Sequence, residues 1–405
     1  MKVIVIGGGA SGIMAAISAK DLGYEVSILE RNDRIGKKIL TTGNGRCNIT
    51  NENIRTKRYH SNNPNFFEHV INEFTEENTI SFFEMLGLPL ISLEGGKMYP
   101  LSLQASSVLD ILRIALDERD IEVITNSKIT KIIRNKSSFK IISSDGAEYF
   151  ADKVILAAGG MSAPKTGSDG LGMTLAASLG HRLIKTVPAL VQLKLDFKSL
   201  RALSGIKFDG NIKILVDGEE KRCEFGEILF TDYGISGPPI LQLSRIASYA
   251  VEEKKEVKIE VDMLPHYSMN SLKSFLENHW GTFSYRSVYD SFIGIINKKM
   301  IPILLKQCGI IDIHKYCFDL TWEEKENIFN YLKCWSFKVC GTNSYSNSQV
   351  TAGGVDTVEV NNITLESKLV PGLYFCGEVL DVDGDCGGFN LQWAWSSGYI
   401  AGKCL

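Results

Sequence analysis

The chain lacks any run of 18 apolar residues, so no membrane-spanning helix is expected. It also lacks a C-x-x-C pair, an H-E-x-x-H pattern or any other zinc-like spacing among its nine cysteines and six histidines. A dithiol relay and a metal centre are therefore not expected, and scattered thiols of this kind read as reduced and cytoplasmic. Charge of one sign is missing too: 44 basic and 47 acidic side chains leave a net charge of −3. That balance excludes a dominant phosphate-binding surface, so neither nucleic acid nor membrane is an expected partner. Lys2 followed by four apolar residues imitates the start of a signal peptide, but three glycines interrupt it at once and no small-residue cleavage site follows.

At 405 residues the chain is too long for one simple core, and two or three domains are expected. Residues 2–6 are apolar and β-branched, as in a buried parallel strand. A glycine-rich turn at 7–12 leads into a helical stretch, 13–22, carrying Ala15, Ala16 and Ala19; a second short strand, 26–29, ends at Glu30. This is one βαβ unit. Helices are expected at 65–86 and 106–119, a strand at 121–125, an antiparallel meander at 129–150 and a buried strand at 154–158 that runs into Gly159 and Gly160. Beyond residue 188 alternating segments read as a β-rich region, and 268–333 reads as helical. Strand signals resume near 350, and a closing helix is expected at 390–402.

Gly7-Gly8-Gly9-Ala10-Ser11-Gly12 fits G-x-G-x-x-G between a strand and a helix, the place where its mechanism requires it. Gly7 permits a tight turn, Gly9 lets a pyrophosphate approach the backbone, and Gly12 brings helix and strand close. The helix N-terminus, with Ala10 and Ser11, offers N–H donors. Glu30 stands eighteen residues beyond Gly12, where a carboxylate accepts from ribose hydroxyls. FAD and NAD share this fingerprint. Two features favour FAD: the basic stretch Arg31 to Lys38, and the late segment 372–378, a strand closing on Gly377-Glu378 with a helix beyond it. That helix would aim its positive end at the flavin. No second G-x-G-x-x-G follows a strand; residues 167–172 are the nearest approach and are out of register. A nicotinamide, if used, would bind transiently.

Several stretches carry a more specific likeness: 36–51 (GKKILTTGNGRCNITN), 230–238 (FTDYGISGP), 351–355 (TAGGV), and 377–384 (GEVLDVDG) through 393–398 (WAWSSG). In these the chain resembles the BaiN-like, or YhiN-like, bacterial flavoproteins, described as NAD(P)/FAD-dependent oxidoreductases. The resemblance implies an α/β protein whose Rossmann-type FAD-binding domain is formed by both chain termini (1–187 and 350–405). It implies an inserted β-rich domain (188–265 and 334–349) and a helical subdomain (266–333). Non-covalent FAD comes with it, and NAD(P)H as a transient electron donor. Expected cofactor contacts then include Thr42, Gly43, Asn44, Gly45 and Arg46, where small residues let a planar ring approach and Arg46 offers a charged fork. Ile129, Ala158, Gly159, Asp383, Gly388, Phe389, Asn390 and Leu391 complete the set.

No acid or base stands out. Cys47, beside Arg46, is either an activated thiol or packing near the cofactor; Cys386 carries the same two readings, and Tyr233 either lines a substrate cavity or docks one domain on another. Trp393 and Trp395 lie on opposite sides of the last helix, so at most one faces a pocket. The family resemblance implies hydride transfer through flavin N5 to a small or steroid-like apolar substrate, as in reduction of a conjugated C=C bond during bile-acid dehydroxylation. An aminoacetone-type amine oxidase using O2 is the enzymatic alternative, and a flavin redox sensor or RNA-associated flavoprotein is the alternative of another class.

Overall fold

The computed structural model describes residues 1–136 and 138–405, and the chain divides into two compact units: Met1–Pro188 with Tyr345–Leu405, and Ala189–Ser344. The first unit is built on a five-stranded parallel sheet. Its strands are β1 (Lys2–Ile6), β2 (Glu25–Leu29), β3 (Glu122–Ile124), β4 (Lys153–Leu156) and β5 (Leu373–Phe375), in the order β5-β4-β1-β2-β3. Val5 at the centre faces Ile28 on one side and Ile155 on the other. Both faces are covered, which is why these strands are continuous runs of Val, Ile and Leu rather than alternating ones. The edge strand β5 comes from the far end of the chain, so a Rossmann-type domain is closed by both termini.

Two helices cover one part of this sheet: α1 (Ala10–Asp21) and α2 (Phe389–Lys403). They approach through small residues. A Cβ on Gly398 would stand 2.4 Å from the Ser11 carbonyl oxygen, and one on Gly402 would stand 2.3 Å from that of Ala15. Backbone therefore meets backbone, and the C-terminal helix is pressed onto the helix that opens at the glycine turn.

The helix expected at 65–86 is two helices, Phe66–Glu73 and Glu76–Met85. Thr75 breaks it: its hydroxyl caps Asn78 N–H while the Asn78 side chain accepts from Thr75 N–H. This reciprocal cap favours a new N-terminus over a continued helix. The meander forms as Ile129–Arg134, Phe139–Ser143 and Glu148–Ala151; residue 137 within that stretch lies outside the described residues.

The second unit is a closed barrel of six strands: Leu193–Asp196, Gly234–Ser236, Glu219–Phe230, Lys207–Val216, Val257–Asp262 and Trp335–Thr342, in barrel order. The segments Met269–Thr282, Val288–Ser291, Ile301–Gln307 and Trp322–Lys333 are helices inserted between the last two of these strands. Their buried Leu276, Trp280 and Phe329 join the same apolar core as Ile214, Phe230 and Trp335 of the barrel. Among the described residues no helix is long and apolar enough to cross a membrane.

Replacing Gly398 by Val should cost about 1–3 kcal/mol through overpacking against α1. Gly281→Ala, on a helix with open space around the added carbon, should instead gain about 0.5–1 kcal/mol. Chemical denaturation of the two variants checks both signs.

Candidate functional site

At the C-terminal ends of β1, β2, β4 and β5 lies a cavity of about 1260 Å³, counting its solvent-open mouth. The glycine turn forms its floor. Gly7 has φ +108°, and a Cβ there would fall 2.5 Å from the Ala157 carbonyl oxygen. Gly12 would meet the Gly7 carbonyl at 2.0 Å, whereas nothing lies within 4 Å of a Cβ on Gly9. Two glycines are thus demanded by crowding, and the middle one opens onto free space. That is the cradle a diphosphate needs at a helix N-terminus.

Glu30 caps β2 and is 7% exposed. One carboxylate oxygen accepts from Gly8 N–H at 2.8 Å, and the other accepts from the Asn32 backbone and side-chain amides, both at 2.8 Å. The carboxylate is therefore oriented before any ligand arrives. Asn32 also donates to the Thr166 carbonyl, tying the β2 end to the segment after β4. Arg31 is paired with Asp169, and the guanidinium lowers the Asp169 carboxyl below its usual range against an opposing effect of burial.

Of the residues expected from sequence, Gly7, Gly9, Ala10, Ser11, Glu30, Arg31, Lys38, Thr42, Ile129, Ala158, Gly159, Glu378, Asn390 and Leu391 line this cavity. Others act behind it. Gly377 has φ +76° and leaves room for Ser11, whose Oγ would stand 2.4 Å from an added Cβ. Gly388 has φ +101° and sits against the Thr50 carbonyl; Phe389 packs edge-on to Tyr59. Asn390 bonds Gly384 in both directions, accepting at 2.8 Å and donating at 2.7 Å, so it clamps the turn that opens α2. Asp383 is buried in a two-residue ladder with His60 and does not reach the cavity wall.

The segment Gly43, Asn44, Gly45 turns left-handed, with φ between 54° and 80°, and with Arg46 it is exposed outside the cavity lining. Cys47 is fully buried, and burial pushes its thiol up to about 12, which removes it as an activated thiolate at neutral pH. Burial raises the Cys386 thiol as well. Tyr233 belongs to the other unit, on the exposed turn between two barrel strands. Trp393 does line the cavity, its indole N–H donating to the Gly377 carbonyl at 3.1 Å, whereas Trp395 is core and donates to Ile49.

Sequence reading missed Asn32, Ser127, Thr166 and Ser168, Gln349 and Val350, all on the wall. Asn32 alone carried a signal, two residues beyond the acidic strand end. The others belong to segments joined only by folding.

The crowded and open glycines, the preset Glu30 and the two helix N-termini fit FAD, and together with the family and relatives that the chain matches they make it an FAD-dependent oxidoreductase. The chain belongs to the HI0933-like protein Rossmann domain family, whose model matches residues 1–404. It is 41% identical to the 3-dehydro-bile acid delta(4,6)-reductase of Clostridium scindens, over 99% of this chain and 98% of that one. It is 29% identical to the ribosomal RNA dihydrouridine synthase of Haemophilus influenzae, over 98% and 96%. Among solved structures, the 3-ketosteroid delta1-dehydrogenase of Sterolibacterium denitrificans matches with a TM-score of 0.49 and 12% identity, over 99% and 98% of the two chains.

Glu30→Ala should weaken FAD binding about tenfold or more, the worth of charge-assisted hydrogen bonds at a buried site, as read by fluorescence titration. The Cys47 and Cys376 thiols, both near 12 when folded against an ordinary 9.0, give a pH test. Their contribution to stability is complete below pH 9 and is lost as pH rises toward 12. Melting temperature should therefore fall above pH 9, and less steeply in a Cys47→Ala, Cys376→Ala double variant.

Proposed function

We propose that this protein uses FAD and a nicotinamide donor to saturate a carbon–carbon double bond conjugated with a carbonyl, in an apolar, steroid-like molecule. The observation that carries this reading is the 41% identity to a 3-dehydro-bile acid delta(4,6)-reductase along 99% of the chain. The chemistry FAD supplies when bound is two-electron transfer through its ring system, from donor to substrate.

The chain's own residues would bind and orient. Glu30 would take the ribose, the first turn of α1 the diphosphate, and the N-terminus of α2 the electron-rich edge of the ring. Asn390 and Trp393 hold that turn still through Gly384 and Gly377. Aliphatic side chains such as Ile39, Leu171, Val350 and Leu391 line the walls and exclude water. The donor would bind transiently, since the chain has a single dinucleotide fingerprint.

The 29% identity to a ribosomal RNA dihydrouridine synthase favours a second reading with the same bond chemistry, because dihydrouridine is uridine with its ring double bond saturated. The near-neutral net charge favours the small molecule.

Anaerobic protein reduced by NADH or NADPH should regain its oxidised flavin spectrum within seconds of mixing with a 3-oxo-4,6-diene steroid acid. Recolouring by uridine-containing ribosomal RNA and not by the steroid would select the second reading. Bleaching by an amine with recolouring in air, and no response to either nicotinamide, would replace both with an oxidase.

A further inference from the structure

Lys38 and Glu378 are 340 positions apart and meet at the cavity wall, Nζ to Oε2 at 2.6 Å, with side chains 27% and 17% exposed. A surface ion pair in that position would be worth little. This one is braced. The other carboxylate oxygen of Glu378 accepts from Thr351 N–H at 3.0 Å and from Thr351 Oγ at 2.8 Å. Thr351 Oγ in turn accepts from Met161 and Ser162 N–H, at 2.8 and 3.0 Å. Behind it stand Ser162 and Ser348, Oγ to Oγ at 2.6 Å, and Ser348 donates to the Tyr345 carbonyl. Thr351, Ser162 and Ser348 are all buried. Gly160 leaves the space this requires, since a Cβ there would fall 2.5 Å from Thr351 Oγ and 2.6 Å from Glu378.

Two roles are open to such a chain: a proton wire, or a fixed support. Counting protons decides. Ser348 gives its proton to a backbone carbonyl, which leaves Ser162 to donate to Ser348. Thr351, which already accepts twice, has its proton between the carboxylate at 2.8 Å and Ser162 Oγ at 3.1 Å, and the carboxylate is the nearer and charged acceptor. The chain ends on a carbonyl that can pass nothing on. It is a support, and it leaves the Glu378 carboxylate surrounded by donors, with Lys38 the cation it meets among the described residues.

Sheet order tells which end of the cofactor the pair would face. Glu30 follows β2 and Glu378 follows β5, three strand spacings away, about 14 Å, with the mouth of α1 near the middle. With the ribose at Glu30 and the diphosphate at α1, the flavin ring falls at the Glu378 end. We propose that Lys38 is a fixed cation that sets the electron affinity of the bound flavin, and that Glu378 is the residue that positions it and partly offsets its charge. This rests on FAD binding as read above.

The test uses FAD-loaded protein at one pH and reads the flavin midpoint potential against reference dyes, together with sulfite affinity. Lys38→Met should lower the potential and weaken sulfite binding about tenfold or more, the effect of one charge across a few ångströms of protein. Lys38→Arg should restore both to within about threefold. Glu378→Gln should move both the opposite way, because it leaves Lys38 uncompensated. Opposite signs support the proposal. Unchanged values in loaded protein, or shifts of the same sign in both variants, overturn it. If Lys38→Met fails to retain FAD, the sign for Glu378→Gln decides alone: a rise supports, and a fall or no change overturns. Wild-type protein that takes up no FAD would instead sink the cofactor reading beneath it.

Discussion

Where α1 opens, the α-carbon of Gly12 lies against the carbonyl of Gly7, and the α-carbon of Gly7 lies against that of Ala157. No side chain of any kind fits in either contact. Because of this closeness, the first turn of α1 can stand at the end of β1 with its N–H groups directed into open space beside Gly9. Glu30 adds to the same constraint, holding Gly8 by its N–H. Loosening any of these contacts would spread the donors that a diphosphate requires, and every other wall of the cavity is referenced to this turn.

The C-terminal helix reaches that turn by the same device. Gly398 and Gly402 let α2 lie backbone to backbone on α1, against the carbonyls of Ser11 and Ala15 respectively. The loop before α2 is then held by Asn390, and the strand before that loop by the Ser397 hydroxyl, which accepts from Gly377 N–H at 2.9 Å. The far end of the chain is thus registered against the near end by hydrogen bonds that tolerate little displacement. Gln392, buried in α2, is satisfied by Thr50, Ser396 and the Phe74 carbonyl, and so joins α2 to two further segments.

The chemistry follows from this rigidity. A cofactor held along the sheet edge as proposed would present its diphosphate to α1 and its ring toward α2, and the protein's contribution would be fixed dipoles and charges around it. The chain includes a second unit, a barrel with helices inserted between two of its strands, whose core is its own.

Local chemistry could be read directly from the residues. The glycine pattern, the acidic strand end, the runs of β-branched residues and the alternation in the β-rich region each depend on a few consecutive positions, and backbone sterics allow few conformations for them. The break at Thr75 was legible in principle, in the Thr75 and Asn78 cap pair, but the apolar periodicity across it pointed to one helix. Cys47 shows the opposite limit. Beside Arg46 it reads in sequence as either an activated thiol or packing, and the left-handed turn that exposes the arginine buries the thiol. Partners from distant segments were beyond sequence. Asn32 reaching Thr166, and Lys38 reaching a glutamate braced by Thr351, depend on which strands lie side by side. Sequence determined the kind of site and the residues at its opening turn, because those follow from local backbone geometry. Tertiary structure alone decided which charges meet across the cavity, because strand order and the close contact of α1 with α2 are properties of the whole packed unit.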